Sequence, residues 1–352
     1  MNPDAGRGGW LIVKVRLESG EELPFLVDTG STATIFDESL VPKLGKCFGT
    51  VNIRHWYTNW ESEVYAAPKL YLGRTPLLMT GNKIATHDLQ HMSSDPDQPV
   101  IMGVLGMDVL EHYCLQLDFT AGKMRFLDDE RANKQEWGKA FPLTFLKDRC
   151  PCIRGNLLGA KDACSLVDTG YNVDGRLMPE FFQLWTNQAN LPTNGEARWS
   201  DGVLDGETYA WVSLTKQNIG FGGIGFLFLS RHLVSLDFPN RTMYLKPTRT
   251  SYGSLLTGDM LGCLGFLHNL NTDGRLPGFA KRDEILTEGS IAERPHYRVH
   301  YPDSVTGIVR KRGDASSYHY HLVRKSIYGP WKLQKAWRTD QDGHKLEEYP
   351  IP

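Results

Sequence analysis

The sequence predicts an all-β fold, built as two pseudo-symmetric lobes with a small, mostly β appendage at the C-terminus. Three observations carry this expectation. One phrase occurs twice, as Leu26-Val27-Asp28-Thr29-Gly30 and as Leu166-Val167-Asp168-Thr169-Gly170. The segments downstream of each copy also correspond: Val104-Leu105-Gly106 leads to Leu115-Gln116-Leu117-Asp118-Phe119, and Gly223-Ile224-Gly225 leads to Val234-Ser235-Leu236-Asp237-Phe238. Between these landmarks, apolar residues recur at the two-residue period of strands, punctuated by Gly, Asn and Asp. A repeat in the same order over two hundred residues marks an internal duplication. The expected divisions are 1–130, 131–248 and 249–352.

Taken in order, Trp10 to Leu17 alternates as a strand and Glu22 to Val27 runs into the first Asp-Thr-Gly. Tyr65 to Leu72 reads as one further strand, and Met107 to His112 as a short helix. The charged stretch from Asp128 to Lys139 links the halves. In the second half, Cys152 to Leu158, Ala163 to Val167 and Tyr209 to Leu214 read as strands, with a helix from Pro179 to Trp185. Beyond Pro247 the duplication stops. Leu255 to Leu270 has helical apolar spacing, ended by Asp273-Gly274 and Pro277-Gly278. Strand patterns return at Tyr318 to Val323, at Trp331 to Trp337 and, after an Asp342-Gly343 turn, at Lys345 to Tyr349, predicting a small antiparallel sheet.

The 352 residues are 41% hydrophobic and 23% charged, as in soluble globular proteins, with a net charge of −2. That balance gives no electrostatic case for nucleic acid as a partner. Arg310, Lys311 and Arg312 read as a solvated strand end. No apolar run reaches the length of a membrane span. Leu11-Ile12-Val13 is soon followed by Lys14 and Arg16, so these residues encode no leader, and the expected compartment is cytoplasmic if this N-terminus is native and exported if a leader has been trimmed. The six cysteines are Cys47, Cys114, Cys150, Cys152, Cys164 and Cys263. They lack the paired spacing of a zinc site. Cys114 and Cys164 read as buried thiols, and a disulfide from Cys150 or Cys152 to Cys164 stands as the alternative. His319 and His321 share a strand face without a third ligand, so no metal and no cofactor is expected.

The repeated aspartates carry the chemistry. Two carboxylates a few ångströms apart cannot both ionise and share one proton. The ionised one can then draw a proton from water while the neutral one polarises a carbonyl. Thr29 and Thr169 supply hydroxyls that can tie the loops across the pseudo-dyad, and Gly30 and Gly170 allow tight backbone there. The plain alternative is that each aspartate only bonds its own turn. Other paired-acid chemistry fits less well: nothing predicts a sugar platform for a glycosidase, nor metal ligands or a phosphate loop for a phosphatase.

At these residues the chain resembles the retropepsin-like aspartic peptidases, which pair an apolar-apolar-Asp-Thr-Gly loop with a later apolar-apolar-Gly segment packed beneath it. The resemblance covers about residues 10–247, with Val104-Leu105-Gly106 the closer match and Gly223-Ile224-Gly225 the looser. It implies two β-barrel lobes fused in one chain, a monomer, and an endopeptidase acting on peptide or protein, with Asp28 and Asp168 as catalytic residues and Thr29, Gly30, Ser31, Thr169 and Gly170 in support. A silent relative that binds peptides between the lobes is the alternative. The family also implies flaps, for which Ile53 to Ala66, with Trp56, Tyr57 and Trp60, and Gly195 to Tyr209, with turns at Asp201-Gly202 and Asp205-Gly206, are the candidates. One departure stands out. Ser31 follows the first glycine and can bond Asp28, whereas Tyr171 follows the second, where its ring is expected either to fill a substrate subsite or to block the pair. Acid-favoured hydrolysis with an optimum is expected.

Overall fold

A computed structural model gives the structure of the protein. It describes the chain apart from residues 3–4, 6–9, 56–57, 93–98, 128–132, 147–148, 172, 189–196, 217–220, 249–295, 301–303, 311–315, 324–331 and 352. The described residues are mostly β, arranged in three open sheets, none closed into a barrel. Two compact units are present, Met1–Ser254 and Leu255–Pro352. No helix among the described residues is long and apolar enough to cross a membrane.

The first sheet has nine strands: Ile12–Leu17 (β1), Glu22–Val27 (β2), Ile35–Asp37 (β3), Cys47–His55 (β4), Thr58–Ala66 (β5), Leu70–Leu72 (β6), Thr75–Pro76 (β7), Lys83–His87 (β8) and Gly103–Leu105 (β9). Their spatial order is β4-β5-β8-β3-β9-β2-β1-β6-β7. The run read as one strand from Tyr65 to Leu72 is two, because Pro68 has no N–H to continue a ladder.

The second sheet has eleven: Cys114–Asp118 (β10), Lys123–Phe126 (β11), Lys139–Phe145 (β12), Pro151–Arg154 (β13), Cys164–Asp168 (β14), Gly175–Leu177 (β15), Ala197–Leu204 (β16), Glu207–Lys216 (β17), Gly222–Gly225 (β18), His232–Asp237 (β19) and Thr242–Pro247 (β20). Their order is β11-β10-β19-β20-β12-β13-β14-β18-β15-β17-β16, so two strands of the first half belong to the sheet of the second. The join is self-matching: β10 and β19 run antiparallel with Gln116 opposite Ser235, its own counterpart in the repeat, and Gln116 Nε2 donates to Ser235 Oγ at 3.2 Å. The short helices are Met107–Leu110 (α1), Pro179–Gln188 (α2) and Phe226–Leu229 (α3).

The duplication is visible in the register. In the first half β9 lies between β2, to which it is parallel, and β3, to which it is antiparallel, with Val104 opposite both Leu26 and Ile35. In the second half β18 lies in the same way between β14 and β15, with Gly223 opposite both Leu166 and Arg176. Alternate side chains of a strand leave by opposite faces. Val27 and Leu105 therefore join one continuous buried core with Val167 and Ile224, while Leu26 and Val104 pack on the other face with Ile12, Ile35, Leu89 and Ile101.

The β16–β17 hairpin turns at Asp205-Gly206, both at positive φ (48° and 85°) as a two-residue hairpin requires. Asp201-Gly202 is not a turn: the register shifts between Ser200 and Gly202, which marks an irregularity inside β16. The Asp118 and Asp237 carboxylates of the repeat cap tight turns, accepting from Ala121 N–H at 2.9 Å and Asn240 N–H at 3.2 Å. Cys114 is buried as expected, whereas Cys164 is exposed, with its thiol 2.6 Å from that of Cys152 and no disulfide formed.

The second unit holds an antiparallel sheet of His296–His300 (β21), Ser304–Arg310 (β22), Ser317–Val323 (β23), Lys332–Thr339 (β24) and Lys345–Tyr349 (β25), in sequence order. His319 stacks on Trp337 and bonds the Thr339 hydroxyl at 2.9 Å, an ordinary strand environment. Asp340, Asp342 and His344 bring ligand atoms within 4.8 Å of one another on the β24–β25 turn, where Asp340 Oδ1 already accepts two backbone N–H groups. The helix expected from Leu255 to Leu270 and the positives Lys311 and Arg312 lie outside the described residues.

Candidate functional site

Asp168 ends β14 and Asp28 directly follows β2, so each aspartate leaves a strand whose last apolar residues are buried in the core. Each then enters a loop anchored at both ends. Asp28 N–H donates to Leu105 O at 3.1 Å, Met107 N–H to Ser31 O at 2.9 Å, and in the second half Phe226 N–H to Tyr171 O at 2.7 Å. The segments after the repeated glycines, Gly106 before α1 and Gly225 before α3, thus pin the loops from below in both halves.

Two threonines lock the loops to each other. Thr29 Oγ1 donates to Val167 O at 2.6 Å and accepts from Thr169 N–H at 3.1 Å. Thr169 Oγ1 donates to Val27 O at 2.7 Å and accepts from Thr29 N–H at 3.0 Å. Both side chains are buried, so four polar groups are satisfied only by a partner from the opposite half.

Within this lock the carboxyls meet. Asp28 Oδ1 accepts from Gly30 N–H at 2.7 Å and Asp168 Oδ1 from Gly170 N–H at 3.0 Å. These are the turn bonds of the plain alternative, yet the carboxyls also hydrogen-bond to each other. Each lies against the glycine of the other loop: a Cβ added to Gly170 would stand 2.4 Å from Asp28 Cγ, and one added to Gly30 would stand 2.6 Å from Asp168 Cγ. Glycine is required here because the opposing carboxyl occupies the side-chain volume.

Burial, and after it the charge of Asp168, push the Asp28 carboxyl up to about 8, against smaller opposing effects from Gly30 N–H and Arg176. Asp28 therefore keeps its proton through neutral pH. A carboxyl raised in the folded state binds its proton more tightly there than in the unfolded chain. Its contribution to stability is complete below the unfolded value near 4 and is lost as pH rises toward about 8. Asp28→Asn, which cannot ionise, should accordingly be more stable to urea than wild type at pH 8, with the difference closing toward pH 4. Parallel urea curves with the same offset at both values would contradict this.

The remaining expected residues fall as follows. Ser31 supports the loop without its hydroxyl touching Asp28: its Oγ donates to Ala33 O at 2.8 Å and its N–H to Asp28 O at 3.2 Å. Trp60 lies on β5, one arm of the β4–β5 hairpin, and stacks on His87 at 3.8 Å between ring centroids. Trp56 and Tyr57 lie outside the described residues. Tyr171 is held internally, its hydroxyl bonded to Thr215 Oγ1 of β17.

Sequence reasoning missed Arg176. It lies on β15 with Nη2 3.2 Å from Asp168 Oδ2, and both side chains are buried. A second buried pair, Arg231 to Asp174 at 2.7 Å, holds the loop between Asp168 and β15. Arg176 could have been noticed only by aligning the two halves residue by residue, since Ile35 holds the equivalent place. No family model and no curated protein matches this chain.

Proposed function

We propose that the protein is an aspartic endopeptidase, with Met1–Ser254 forming two fused lobes of the retropepsin type. The observation that carries this reading is the reciprocal seating of Asp28 and Asp168, each carboxyl against the glycine of the other loop and bonded to the other carboxyl. Two turn-capping aspartates would have no need of such a lock.

In this reading a water sits between the carboxyls. The ionised one, on Asp168, removes a proton as the water oxygen attacks the peptide carbonyl, while Asp28 gives its proton to the carbonyl oxygen. The resulting tetrahedral diol collapses as Asp168 passes its new proton to the amide nitrogen and Asp28 takes one back from a diol hydroxyl, so the C–N bond breaks and the amine and carboxylic acid depart. Two protons enter the pair and two leave it, so it returns to its starting state. Activity needs one neutral and one ionised carboxyl. With Asp28 raised to about 8, the alkaline limit lies near pH 8 and the working range extends to neutral pH, beyond the acid preference expected from the dyad alone.

The test is incubation with a mixed peptide library across pH 3–9, with products identified by mass spectrometry. Peptides that bind and are never cut would instead support the silent relative. Because both aspartates lie in one compact unit of one chain, specific activity should be constant on dilution from micromolar to low nanomolar. A steep loss that follows a change in sedimentation would show that two chains are needed.

A further inference from the structure

The two halves differ beside Asp168, and the differences there form one unit. In the first half the pair facing each other across β3 and β9 is Ile35 and Val104, both packed in an apolar cluster. The same register in the second half pairs Arg176 with Gly223. The exchange is compensated: a Cβ on Gly223 would stand 2.7 Å from Arg176 Nε and 3.0 Å from its Cγ, so the missing side chain makes room for the arginine stem. The guanidinium then reaches Asp168 Oδ2 at 3.2 Å. Its carbon stands 5.0 Å from the centroid of the Tyr171 ring and 5.7 Å from that of Phe221. Tyr171 is itself held by Thr215. Tyr171, Arg176 and Gly223 thus all depart from the repeat at one place.

We propose that Arg176 is a positioning residue that breaks the symmetry of the pair, fixing its single negative charge on Asp168 and leaving Asp28 as the proton carrier, with Tyr171 as the platform that aims the guanidinium. Arginine stays charged even when buried. Sequestered from water, it demands a countercharge, and of the two carboxyls of the pair it is Asp168, at 3.2 Å, that forms the ion pair with it. Two chemically equal carboxyls would share the proton either way round. With a cation on one side the arrangement is set before substrate binds, which removes a reorganisation step from the reaction.

Among the described residues, the other titratable or charged groups beside the two loops include Tyr171, the Cys150 thiol, which donates to Gly30 O at 3.3 Å, and Asp174 with Arg231, which neutralise each other. None of these adds a net positive charge. Removing Arg176 therefore takes away the cation that opposes the other effects at Asp28, and ionisation of the pair should move to higher pH.

This proposal rests on the peptidase reading for its role, and the experiment separates the two. Arg176→Ile with Gly223→Val copies the apolar pair of the first half. Arg176→Gln keeps a donor and drops the charge, and decides the matter if the double variant does not fold. Arg176→Lys keeps the charge. Carboxyl-carbon NMR titration of aspartate-labelled protein is measured alongside the pH dependence of kcat/KM for a cleaved peptide. Both uncharged variants should titrate at the pair about one to three pH units higher than wild type. Both limbs of the rate profile should move the same way, while Arg176→Lys stays close to wild type. Superimposable carboxyl titrations in wild type and the uncharged variants would overturn the proposal. If wild type cuts no peptide, the peptidase reading falls, and the NMR titration still decides whether Arg176 sets the charge.

Discussion

Peptide hydrolysis should fall by roughly a thousandfold or more in both Asp28→Asn and Asp168→Asn, because either change removes half of a general acid–base pair. Asparagine keeps the side-chain oxygen that accepts from Gly30 N–H or Gly170 N–H, so the loops retain their turn bonds. The two variants should part company in stability. Asp28→Asn relieves a carboxyl that burial disfavours when ionised, whereas Asp168→Asn leaves Arg176 buried beside a neutral group. Breaking one side of such a buried pair costs roughly 3 kcal/mol. Urea denaturation at pH 8 should place Asp28→Asn above wild type and Asp168→Asn below it. Near wild-type cleavage by either variant would make that aspartate structural. Equal stability of the two would remove the asymmetry on which the charge assignment rests.

Gly170→Ala should be nearly as damaging to activity, although it changes no chemical group. Its new methyl would stand 2.4 Å from Asp28 Cγ, and the corresponding methyl of Gly30→Ala would stand 2.6 Å from Asp168 Cγ. No loop can retreat freely, because Thr29 and Thr169 tie each one to a carbonyl of the opposite half. The carboxyls must separate, and the shared proton is lost with their contact. Overpacking of this kind costs about 1–3 kcal/mol in stability. Alanine at a loop glycine with open space, such as Gly20, provides the control for a backbone effect alone, since it sits at φ 93° and a Cβ there would meet nothing within 4 Å. If Gly170→Ala cleaved peptides at the wild-type rate, the reciprocal seating of the carboxyls would be irrelevant to function.

Much of this arrangement could be read from the chain itself. The strand entering each Asp-Thr-Gly, the short helix after Gly106, the Asp205-Gly206 turn and the β23–β25 hairpins follow from local periodicity and turn chemistry, which act within a few residues. The pairing of Asp28 with Asp168 follows from duplication, because equal positions in two equal halves are related by an axis. Tertiary structure decided the rest. Assignment of β10 and β11 to the second sheet depends on which edges meet, and nothing local to Cys114–Phe126 encodes that. The bulge at Asp201-Gly202 arises because the partner strand continues past a dipeptide that would turn on its own. Arg176 reads in sequence as an ordinary polar residue eight positions after Asp168. Only the register that sets it opposite Gly223, with room for its stem and a carboxylate at its end, turns it into a buried charge beside the pair. Periodicity specifies which face a side chain takes; what it meets on that face is set by strands distant in sequence.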